Sequence, residues 1–216
     1  ISFPAYFHHE DAPPAFSDPG SFPFTRGSAS DTNDWHIGTC FLIQEEKEDN
    51  KLLLQALMAG TTALVLHATD ERAIRFDELL ENVGLEYIHT TFHAKTVEQA
   101  KDFAAFIGKN TAVIVTDNTD SWMSEARMFA ASPVRPFTVN AYSVQQAGGT
   151  TWQEAAIALA EGHELLVAQL ETGLSADEAA GNIHFLFGIG NQYFYEIAKF
   201  RAFRMAWARI VSEYAP

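Results

Sequence analysis

Thr111-Ala-Val-Ile-Val-Thr116 is a short β-branched run that is apolar at consecutive rather than alternate positions. That pattern marks a strand in a parallel sheet with both faces covered. Working outward toward the N-terminus, Thr96 with Gln99 three residues on has the spacing of a helix-start capping box. Before it come the β-prone runs Tyr87–Phe92, Thr62–Leu66 and His36–Ile43. Toward the C-terminus lies Pro136–Tyr142, and then helix starts are expected at Thr151 with Glu154 and at Ser175 with Glu178. A sixth run, Asn182–Phe187, precedes a long amphipathic helix over Tyr193–Tyr214 that has no internal Gly or Pro.

Strand and helix alternating about six times define the parallel α/β class. An open doubly wound sheet and a closed (β/α)8 barrel of the TIM type both satisfy this alternation. The dinucleotide fingerprint G-x-G-x-x-G is missing after the first run, which removes the usual sign of the open form. A barrel needs eight units, so six imply a truncated one. Residues 1–34, rich in Pro, Gly and Phe, read as an extended N-terminal arm, and 35–216 read as the partial barrel. The chain opens on Ile1, in the manner of a fragment.

The 216 residues are 47% hydrophobic and 19% charged, a composition that collapses into one core. With 14 Lys+Arg against 28 Asp+Glu the net charge is −14, which disfavours nucleic acid as a partner. No apolar run is long enough to cross a bilayer, and with one cysteine the expectation is a cytoplasmic chain without disulfides. That cysteine, Cys40, is expected to be a small buried hydrophobe.

Residues capable of chemistry are scattered. His67, His89 and His93 fall near strand ends, but a pair four apart on one strand is separated by about 13 Å, so no metal site is expected. Asp117, Asn118 and Asp120 read as a turn and helix cap before they read as an acid/base pair. Gly148-Gly-Thr-Thr151 offers backbone amides to a phosphate but lacks the P-loop lysine. Lys199, Arg201, Arg204 and Arg209 gather positive charge on the last helix, suited either to solvent or to an acidic ligand. These residues alone do not reach a reaction.

Three segments resemble the adenosylcobalamin-dependent methylmalonyl-CoA mutases. Pro19–Gly27, ending in Pro-Phe-Thr-Arg-Gly, resembles the family's P-F-T-R-G segment. Tyr142–Gly149, reading Y-S-V-Q-Q-A-G-G, is similar to its Y-H-x-x-E-A-G-A. Phe187–Val211 is similar almost throughout to G-I-G-x-x-F-F-x-E-I-A-K-L-R-A-A-R-x-L-W-A-R.

The resemblance implies a (β/α)8 barrel whose axis takes the pantetheine arm of CoA, with Thr25 and Arg26 as substrate-binding residues at its entrance. Four departures stand out. Asn33 replaces a tyrosine that separates the radical pair, and Ser143 a histidine that bonds the thioester carbonyl. Asn182 replaces an arginine on the CoA phosphates, and no substrate-carboxylate arginine lies near Asp117. A retained barrel with a degenerate site resembles the small subunit of the two-chain bacterial enzymes. Such a chain has no catalytic residues, binds no cofactor, and supports a larger catalytic subunit in a heterodimer. That partner holds adenosylcobalamin and isomerises succinyl-CoA and (R)-methylmalonyl-CoA. Two alternatives are an independent acyl-CoA enzyme using His89, His93 and Asp117, and a barrel that only binds CoA esters. Unpaired strand edges in a partial barrel also favour self-association.

Overall fold

The computed structural model describes residues 8, 18–27, 29–32, 34–116, 123, 126–129 and 132–215. In chain order the elements are β1 (Gly38–Ile43), α1 (Glu46–Met58), β2 (Ala63–Ala68), α2 (Phe76–Leu79), β3 (His89–Ala94), α3 (Val97–Ile107) and β4 (Ala112–Thr116). There follow β5 (Val134–Arg135), β6 (Phe137–Asn140), α4 (Tyr142–Gln146), α5 (Thr151–Glu171), α6 (Ala176–Gly181), β7 (Ile183–Leu186) and α7 (Tyr193–Tyr214).

All strand pairs are parallel. β1 to β5 lie side by side in chain order, and β6 pairs with β7 in a second ladder. Pro136 separates β5 from β6, and a proline has no N–H to give to a ladder. The Thr138 hydroxyl bridges the junction by donating to the Ile114 carbonyl at 3.0 Å. A doubly wound sheet reverses its strand order partway; here each strand of the main sheet lies beside its chain neighbour. The sheet is therefore wound in a single direction. Among the described residues no strand joins β1 to β7.

One face of the sheet is covered. Leu64, Leu66, Phe92 and Ile114 are fully buried there with Leu53 and Phe103. The Phe92 ring meets Phe76 at 5.1 Å and Phe103 at 4.9 Å between centroids. Burying each such ring contributes about 2–3 kcal/mol. A second aromatic group, Phe185, Phe187, Phe203 and Trp207, seats α7 on β7.

The other face departs from the sequence expectation of a sheet covered on both sides. Leu42 is 62% exposed, and Cys40 is exposed rather than buried. Apolar runs record which surfaces favour burial, but not whether anything lies over them. Within the N-terminal segment, Asp18–Gly27 folds into turns: Gly20 N–H donates to Gly27 O at 3.0 Å and Phe24 N–H to Ser21 O at 2.7 Å.

Buried polar side chains tie the layers together. Asn50 donates through Nδ2 to the carbonyls of Leu79 and Glu81, both at 2.9 Å, fixing α1 to the end of α2. Glu46, 2% exposed, takes Arg72 and the Arg75 backbone amide. Burial acts to raise its pKa, but the Arg72 guanidinium and the backbone donors outweigh it and bring the carboxyl down to about 2.

Candidate functional site

Parallel register brings side chains into rows across this second face, which is exposed at Cys40 and Leu42 and buried at Val113. Leu42, His67, His93 and Val115 form one row, and Cys40, Val65, Thr91, Val113 and Arg135 the next. His67 and His93 are direct lateral partners, and their rings stack 3.8 Å apart at 15°. His89 pairs instead with His36, edge to face at 4.4 Å. The histidine pairing that matters thus runs across strands rather than along one. A faint sequence signal exists, since His67 and His93 each stand fifth in their strands.

Burial, and then the charge of Lys95, lowers the His67 pKa, so this ring is neutral at pH 7. His184, on β7, is pushed down to about 4, first by burial and then by Arg135 and His89. Among the described residues no three His, Cys, Asp or Glu side chains are grouped to hold a metal ion.

A different constellation holds the loop at the end of β7. Glu154, Glu196 and Lys199 are 0%, 6% and 5% exposed. Lys199 Nζ lies 2.7 Å from Glu154 Oε2, 2.6 Å from Glu196 Oε2 and 2.7 Å from the Gly188 carbonyl oxygen. The Gly188 amide donates to Glu154 at 2.7 Å and the Gly190 amide to Glu196 at 3.0 Å. Burial works to raise the Glu196 pKa; Lys199 and the Gly190 amide outweigh it and hold it below the ordinary value. The loop is clamped from α5 and α7 together. Lys199 therefore does not belong to an exposed basic group, and neither glutamate was singled out in the sequence. Glu196 and Lys199 at helical i, i+3 spacing were the available signal.

The glycine turn before α5 has no phosphate-loop character. Gly148 N–H donates to Gln145 O and Gly149 N–H to Val144 O. Thr150 N–H donates to Gln153 Oε1 at 2.9 Å. The capping threonine is Thr150 with Gln153, one residue earlier than expected, because Glu154 is engaged by Lys199. The boxes at Thr96 and Ser175 form as expected.

Ser143 is exposed, and its hydroxyl donates to the Asn140 carbonyl at 2.7 Å. Asn182, 2% exposed, donates to Ala126 O and to Gln169 Oε1. Its amide is thus engaged inside the fold. Thr25 and Arg26 meet Arg201 and Arg204 of α7 around one cavity, whereas Arg209 is not among its lining residues. Asn33, Asp117, Asn118 and Asp120 lie outside the described residues. No helix among the described residues is long and apolar enough to cross a membrane.

A parallel α/β sheet wound in one direction, with a clamped loop at the end of β7, is the class these features define. Residues 94–216, more than half of the chain, match the family model of methylmalonyl-CoA mutase. The chain belongs to the methylmalonyl-CoA mutase family. It is 30% identical to the methylmalonyl-CoA mutase small subunit of Propionibacterium freudenreichii over 94% of its length and 36% of that protein. It is likewise 30% identical to the small subunit of Porphyromonas gingivalis, over 95% of its length and 38% of that protein. Against the large subunit of Propionibacterium freudenreichii it is 39% identical over 37% of its length and 11% of that protein. The chain spans little more than a third of the small subunits it matches.

Proposed function

We propose that this chain is part of the small, non-catalytic subunit of a two-chain methylmalonyl-CoA mutase, and that its two ladders, with β5 and β6 counted as one strand broken at Pro136, supply six strands of a (β/α)8 barrel. The observation that carries the reading is Ser143. Where the catalytic family has a histidine, this chain has a short hydroxyl bonded to Asn140 O at the first turn of α4. A serine so placed cannot reach a substrate carbonyl as an imidazole would. Asn182 supports the same reading, since its amide is bonded inward to Ala126 and Gln169 instead of facing an anion. The candidates for an independent enzyme support it too, since His93 stacks on His67 and His89 abuts His36.

Adenosylcobalamin belongs, in this reading, to the larger partner, where it supplies the radical that starts isomerisation of succinyl-CoA and (R)-methylmalonyl-CoA. The histidines His36, His67, His89 and His93 of this chain do not fit it, since each packs against another ring. What this chain supplies is a surface. Trp152, Ile189, Tyr193, Phe194 and Tyr195 are at least 65% exposed around the Gly188–Gln192 loop, which the buried clamp holds in one geometry. Fixed, exposed aromatics are suited to a protein interface.

The test is native mass spectrometry of the full-length protein mixed with a related large chain. A one-to-one complex is expected, weakened by Phe194→Ala and Trp152→Ala together. Failure to form any complex at micromolar concentration would overturn the proposal.

A further inference from the structure

The main sheet and the β6–β7 ladder meet at a seam. Pro136 interrupts the chain between β5 and β6, and the bond from the Thr138 hydroxyl to the Ile114 carbonyl crosses from one ladder to the other. Basic side chains from both sides converge there. Arg135 of β5 and His184 of β7 line one cavity. His89, at the start of β3, acts on His184 through its charge, and the His36 ring rests edge to face on His89 at 4.4 Å. Gly38 and Ala63, in register with His89, carry no bulk to keep those two rings apart.

The charges that act on these histidines are positive. Burial, then His36 and Arg135, lowers the His89 pKa, and burial, then Arg135 and His89, lowers that of His184. Among the described residues Arg135 has no ion-pair partner. α6 and α7 bring Asp177 and Arg204 to the same cavity, so the carboxylate there is matched by a second guanidinium, and Phe22 and Phe24 bring no charge. At pH 7 the seam therefore sets Arg135 against neutral rings. A proton on His184 places like charges on its two sides, in a buried setting that screens their repulsion poorly.

We propose that the seam is an acid-sensitive hinge: protonation of the histidines beside Arg135 swings the β6–β7 ladder, with the helices packed on it, away from the main sheet about Pro136. Secondary structure on either side survives the movement, because each ladder keeps its own backbone hydrogen bonds. β7 runs directly into the Gly188–Gln192 loop, so opening carries the clamped loop with it. The hinge goes beyond the subunit reading and does not need it, since every group involved belongs to this chain.

Cys40 on β1 is exposed and is the single cysteine of the chain. Spin labels at Cys40 and at Ala160→Cys, an exposed position on α5, therefore report the distance across the seam by double electron–electron resonance on the full chain. One distance is expected at about pH 7.5, and a second, longer one at about pH 5 while far-UV circular dichroism stays unchanged. The closed form, with the His184 pKa at about 4 against 6.5 once released, is fully favoured above pH 6.5 and loses ground as pH falls toward 4. Between about pH 7.5 and about pH 5 the open-to-closed ratio should thus rise about thirtyfold. His184→Asn cannot take up the proton and should abolish the rise, and Arg135→Gln, which removes the fixed charge, should reduce it. His163→Asn, whose ring meets Tyr214 instead, should leave it unchanged. A single unchanged distance at about pH 5, a longer distance that appears only as circular dichroism is lost, or a full rise in both His184→Asn and Arg135→Gln would each overturn the hinge.

Discussion

Lys199→Met removes the one cation that the buried clamp places between Glu154 and Glu196. The two carboxylates are 0% and 6% exposed, so water cannot replace the ammonium without the loop opening. Breaking a buried pair by deleting one partner costs about 3–5 kcal/mol. The bond from Nζ to the Gly188 carbonyl is lost in the same change. Glu154→Gln should cost less, about 1–3 kcal/mol, because its carbonyl can still accept from the Gly188 amide and Lys199 keeps Glu196. In the double variant only one buried charge is left unpaired, so the two losses should fall short of their sum by at least about 1 kcal/mol. Lys199→Arg, which keeps the charge on a bulkier group, should lie between wild type and Lys199→Met. Urea unfolding at pH 7 followed by circular dichroism measures all four, comparing midpoints at unchanged slope. A loss under about 1 kcal/mol in Lys199→Met, or strict additivity in the double variant, would refute the clamp.

Gly162→Ala should destabilise although alanine is the better helix former, because a Cβ there would sit 2.7 Å from the Phe185 ring. The expected net loss is about 1–2 kcal/mol in thermal unfolding. His184 is held neutral with a pKa of about 4, against 6.5 for the unfolded chain. Its contribution of about 3 kcal/mol is therefore complete above pH 6.5 and lost as pH falls toward 4. His184→Asn should flatten most of the stability change in that window, and an unchanged profile would refute the neutral assignment. Glu46, with its pKa at about 2 against 4.5, contributes above pH 4.5 and loses that contribution between pH 4.5 and 2. With the partly exposed Arg72 screened by solvent, the loss should be on the order of 1–3 kcal/mol, absent in Glu46→Gln. Cys40 should react with a thiol reagent in the folded chain at close to the rate of a free thiol, and a protected Cys40 would mean that the open face is covered.

Features set by neighbours along the chain were legible in the sequence. Thr111–Thr116 reads as a strand because its β-branched side chains favour extended backbone wherever it lies, and Ala112–Thr116 is one. Thr96 and Ser175 cap their helices through partners three residues away. Tyr193–Tyr214 is helical over the expected span. Where local signals were degenerate the reading slipped. Tyr87–Phe92 became a 3-10 turn at Leu85–Tyr87 and a strand from His89. The paired threonines at 150 and 151 each had a capping partner three residues on, and only the distant Lys199 decided between them.

The candidate site was legible as a set of residues and illegible as an arrangement. Thr25 with Arg26, and Arg201 with Arg204, were visible as two groups about 175 positions apart, yet only the fold of the N-terminal segment onto α7 makes them one cavity. His67 and His93 became partners through strand register, which a change of one residue would have undone. Lys199 read as a charge suited to solvent or to an acidic ligand, and the fold instead closes two glutamates from different helices around it. The sequence by itself determined the strand and helix alternation and the family, because propensity, capping and motif similarity are properties of contiguous residues. Register, burial and the meeting of charges were decided by tertiary structure, because each depends on which distant surfaces come together and exclude water.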